Sequence, residues 1–119
     1  MNTEMLRNLE VESEVFVFNN SVTHIFRLSG NLCSTDAMWL KEKLRSFEYS
    51  ETILLDLSHV VRTDLIAVNA LAAGHKKHTL GVVMPRSAEA AEIFHLTKFN
   101  QILNLLPTLP VAHENGVYA

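Results

Sequence analysis

ILLDLSHVVRTDLIAVNALAAGHKK, residues 53–77, is the stretch on which the fold turns. It opens with Ile53-Leu54-Leu55-Asp56-Leu57, a short apolar run of the kind that a central strand buried on both faces requires. With Thr52 in front, a strand is expected over residues 52–57. A short loop carrying Arg62 and Thr63 follows, and then Asp64, whose carboxylate can cap a helix. That helix is expected from near Asp64 to about His78. Ala67, Val68, Leu71 and Gly74 fall on one of its sides and can face a sheet. A buried strand passed directly to such a helix is the building unit of an α/β domain.

Upstream, the pattern changes to alternation. Leu9, Val11, Val15 and Val17 share one parity and Glu10, Glu12 and Glu14 the other, as in a strand with one wet face. Phe16 and Phe18 then join the opposite parity, so the strand is expected to become more buried along its length. Asn19-Asn20-Ser21 is a turn signal, and Val22, His24, Phe26 and Leu28 resume the alternation. These two runs predict a β-hairpin. Gly30 and Asn31 are expected to break its second strand. Ser34-Thr35-Asp36 offers capping groups for a helix over residues 36–47, with Met38 or Trp39, Leu40, Leu44 and Phe47 as its apolar stripe.

Downstream, Val82-Val83-Met84 reads as a further strand ended by Pro85. Ser87 can cap a third helix through to Phe99, with Ala90, Ala91, Phe94 and Leu96 supplying its apolar surface. From Gln101 to Leu106 the tail is apolar but too short to separate strand from helix. The expected order is ββαβαβα plus a C-terminal tail: an α/β domain with a small mixed sheet and helices packed on it.

The chain has 119 residues, enough for one compact domain. Residues 1–8 and 113–119 are expected to be loosely held. Hydrophobic residues make up 48% and charged residues 19%, the mix of a globular chain. No apolar run approaches the roughly 18–20 residues that cross a bilayer, and the start lacks the pattern of a signal peptide. The cytoplasm is the expected compartment. Ten basic against thirteen acidic residues give a net charge of −3, which disfavours a nucleic-acid-binding role. The one local basic cluster, Lys76-Lys77 between His75 and His78, reads as the solvated end of a helix.

Catalytic and cofactor signatures are scarce. The four glycines are too scattered for a phosphate loop. His75 and His78 lie one helical turn apart, but two ligands without a third do not make a zinc site. No metal or cofactor is expected. Cys33 stands at a helix start, where a thiol can be acidified, although a small buried hydrophobe is the commoner fate. Ser58, His59, Asp56 and Asp64 cluster near a strand end, where α/β folds place active sites. Reading Asp56 as a loop residue and Asp64 as a cap is the stronger alternative, and no catalytic residue is assigned.

The segment Leu55-Asp56-Leu57-Ser58-His59-Val60, followed by Asp64, resembles the STAS domain, the family of anti-sigma factor antagonists. In that family a strand ends in a similar sequence, and Asp-Ser-Ser-Gly opens the next helix. The resemblance continues in Leu28-Ser29-Gly30-Asn31-Leu32 before the first helix, in Leu80-Gly81 before Val82-Val83-Met84-Pro85, and in Ile93-Phe94-His95-Leu96-Thr97. It implies a non-enzymatic module that binds an anti-sigma factor, an ATP-binding serine kinase or another STAS protein. A second implied role is that of a STAS subunit of a lipid-transporting ABC system, bound to its ATPase.

In partner-switching members the serine after the aspartate is phosphorylated. Here Asp64-Leu65-Ile66-Ala67 replaces Asp-Ser-Ser-Gly. Leu65 has no hydroxyl, so no phosphate can be carried at that position. Ser58 and Thr63 are nearby hydroxyls outside it. The implied contact residues are Leu65, Ile66 and Asn69, with Asp64 as the cap and Arg62 and Thr63 as the rim. Whether Leu65 and Ile66 are exposed or buried by a tilt of the helix is not decided by periodicity.

Overall fold

A computed structural model describes residues 2–6, 8–18, 20–47, 51–75, 79–96 and 104–106. The order is β1 (Asn2–Met5), β2 (Leu9–Phe18), β3 (Ser21–Leu32), α1 (Ser34–Arg45), β4 (Thr52–Thr63), α2 (Leu65–His75), β5 (Thr79–Val83), α3 (Ala88–Leu96) and β6 (Asn104–Leu106). The six strands lie in the sheet in chain order. β1, β2 and β3 pair antiparallel, and β3, β4, β5 and β6 pair parallel, so the sheet is mixed as expected. Each parallel step needs a crossover, and crossovers of one hand in one direction put their helices on one face. Accordingly, residues of α1, α2 and α3 share one core with the same face of the sheet.

That core is built from the alternation of the strands. Leu9 and Val11 of β2, Phe26 and Leu28 of β3, Ile53, Leu55 and Leu57 of β4, and Leu80 and Val82 of β5 all point to the helices. Leu40 and Leu44 of α1, Ala67, Val68, Ala70 and Leu71 of α2, and Ala90 and Phe94 of α3 close over them. Trp39, not Met38, packs against the core; Met38 is 65% exposed.

Several expectations are corrected. β1 is not among the expected strands, and the tail, open between strand and helix in the sequence, forms β6; both flank the sheet as pairing partners. Gly30 and Asn31 do not end the second strand: β3 continues to Leu32, and the irregularity shows as shifts in its register with β4. Residues 58–63 are not a loop but the second half of β4, pairing Ser29 with His59 and Leu32 with Thr63. α1 begins two residues earlier than expected, at Ser34, with Cys33 as its N-cap residue and the Asp36 carboxylate accepting the Cys33 N–H at 3.1 Å. Ser34 and Thr35 are therefore inside the helix rather than its cap.

The inward parity of β2 also fails halfway. Leu9 and Val11 are buried, but Val15 and Val17 are 59% and 66% exposed. Twelve residues of helix span about 18 Å, whereas the twelve of β3 span about 40 Å. The hairpin therefore runs past the helix layer. At that boundary Phe47, just beyond α1, stacks on His24 with ring centroids 4.1 Å apart, and His24 meets Glu51 at 3.3 Å. The Lys76-Lys77 pair, His78, Phe99 and residues 113–119 lie outside the described residues.

Candidate functional site

The site is the end of the sheet where β4 passes the chain to α2. Asp64 holds it together. Its Oδ1 accepts the Ala67 N–H at 3.0 Å, capping α2, while its Oδ2 accepts the Ser34 N–H at 2.7 Å. One carboxylate thus serves the first turns of two helices, each of which presents unpaired N–H groups and the positive end of a dipole. The N-termini of α1 and α2 are pinned side by side. Asp64→Ala is expected to cost about 1–3 kcal/mol in denaturant unfolding, from a lost cap and a second unpaired N–H. Asp64→Asn, which can still cap, is expected to lose distinctly less.

With its cap so fixed, the first turn of α2 faces outwards. Leu65 is 51% and Ile66 54% exposed, whereas Ala67 and Val68 are completely buried. The aliphatic pair therefore lies on the surface. Asn69, one turn further along, is exposed as well. Arg62 is exposed and meets Glu89 of α3 at 3.4 Å, a solvent-screened pair that contributes little to stability. Thr63 is half-buried, and its hydroxyl has no hydrogen-bond partner among the described residues. Arg62, Thr63, Asp64, Leu65, Ile66 and Asn69 thus fall on one strand end and the helix turns that follow it.

Two further apolar residues are exposed: Val61, not singled out from the sequence, and Met38, offered there as an alternative to Trp39 in the apolar stripe of the first helix. Val61, 52% exposed, sits next to the buried Val60, so the alternation of β4 already pointed it outwards. Met38 stands in the first half of α1, the helix tied to Asp64. The segment before α3 fastens the same strand end from the other side. Ser87 Oγ donates to the Val61 carbonyl at 3.0 Å and accepts the Ala90 N–H at 3.4 Å, capping α3 as expected. The Arg86 N–H donates to the Ser58 carbonyl at 3.3 Å.

The two carboxylates considered for chemistry accept backbone N–H groups. Asp56 Oδ1 accepts the Ser58 N–H at 3.0 Å, and both oxygens of Asp64 are taken by backbone. Cys33 does occupy a helix start, but its thiol is pushed up rather than acidified. Burial is the main cause, and the Asp64 and Asp36 carboxylates add to it against a smaller opposing effect of Arg62. The thiol stays protonated and is a poor nucleophile. Among the described residues, no group of three His, Cys, Asp or Glu side chains could hold a metal ion. No described helix is long and apolar enough to cross a membrane.

The arrangement is a strand end between two capped helix starts, with an aliphatic pair on its surface, on a mixed α/β sheet. Among solved structures, an anti-sigma factor antagonist from Mycobacterium paratuberculosis superposes with a TM-score of 0.65 at 22% identity, covering 83% of this chain and 87% of that one. A candidate anti-sigma factor antagonist from Thermotoga maritima gives a TM-score of 0.56 at 16% identity, covering 78% and 84%. The chain has the fold of the anti-sigma factor antagonists, the STAS fold. No protein-family model and no curated protein sequence matches it.

Proposed function

We propose that this chain is a non-enzymatic STAS module that binds another protein through the start of α2 and cannot be switched off by phosphate there. The exposure of Leu65 and Ile66 carries this reading. Aliphatic side chains at about half exposure, beside a rigidly capped helix end, supply the dry anchor that a small interface needs. Arg62, Thr63 and Asn69 form its polar rim, and Asp64 keeps the platform in shape. The partner, in keeping with the fold, is an anti-sigma factor, an ATP-binding serine kinase or another STAS protein.

A phosphoserine at this helix start would place nearly two negative charges in the middle of the contact. Leu65 removes that possibility and leaves an apolar contact in its place. Incubation with a switch-type serine kinase and ATP is therefore expected to leave the intact mass unchanged. A stoichiometric phosphate on Ser58 or Thr63 that abolishes binding would show that the switch has moved, and the reading of an unswitched surface would fall.

Affinity capture from the native cell extract tests the rest. The wild-type chain is expected to retain a kinase-like or STAS partner, and the Leu65→Ser/Ile66→Ser double variant to lose it. Recovery of a transporter ATPase instead would establish the ABC-system role. Equal recovery by wild type and variant would move the interface away from α2.

A further inference from the structure

We draw no further inference here: the strongest candidate, the cleft of about 400 Å³ lined by Leu6, just beyond β1, and by Thr35, Asp36 and Trp39 of α1, rests on a helix N-terminus whose buried carboxylate, Asp36, already accepts the Cys33 N–H as part of the cap, and nothing among the described residues there points to a ligand.

Discussion

Gly30→Ala is expected to destabilise the fold by about 2–5 kcal/mol. Gly30 has φ of +107°, where an L side chain is strained irrespective of space. Space is lacking as well. A Cβ built there would stand 2.5 Å from the Asn8 carbonyl oxygen, a backbone atom that cannot rotate away. The same carbonyl accepts the Asn31 N–H at 2.9 Å, so pushing it aside also loses a hydrogen bond.

The strain sits where the first half of the sheet meets the second, between Leu9 and the shifted register of β3 and β4. Domains of this size are stable by only about 5–15 kcal/mol, so the melting temperature is expected to fall by roughly 10–20 °C. A drop of under about 2 °C would mean that Asn8 and its neighbours relax freely, and that this glycine serves no conformational need.

Leu65→Ser is expected to act in the opposite sense, sparing the fold and damaging binding. Because the side chain is already 51% exposed, its truncation leaves no cavity. Surface substitutions stay within about 0.5 kcal/mol, against roughly 2–5 kcal/mol for a buried leucine. The loss of an aliphatic anchor at the centre of a contact, by contrast, costs more than about 1 kcal/mol, a five- to tenfold weaker Kd. With Ile66→Ser added, the loss is expected to exceed about tenfold. Thermal unfolding and a partner titration of the same variant separate the two effects. A fall of many degrees in melting temperature would make Leu65 a core residue. Unchanged melting with unchanged binding would clear this turn of any part in recognition.

Much of the architecture is legible in local pattern. The β2–β3 hairpin follows from alternation around Asn19-Asn20-Ser21, and Asn20 indeed takes a positive φ of 66°. Ile53 to Leu57 reads as a strand because a short apolar run suits one, and Ile53, Leu54 and Leu55 are all buried in the sheet. Asp64 as a cap, Ser87 as a cap and the missing hydroxyl at Leu65 are matters of residue type, visible before any fold is known.

What the residue pattern did not contain is where one element stops covering another. Val15 and Val11 share a parity, yet one is exposed and the other buried, since α1 is too short to reach both. β1 is a strand through its pairing with Glu10–Ser13, and residues 58–63 through pairing with β3, long-range bonds that leave little periodic trace. Cys33 is raised rather than acidified mainly because folding buries it, and the Asp64 and Asp36 carboxylates, thirty-one and three residues away in sequence, add to the effect. Leu65 and Ile66 are exposed because Asp64, bonded to both helices, sets the rotation of α2. Residue type and spacing determined the hairpin, the start of the central strand and the three helices, and which chemistry is impossible at the start of α2. Exposure depends on the distance between elements, and that only the packed structure decided.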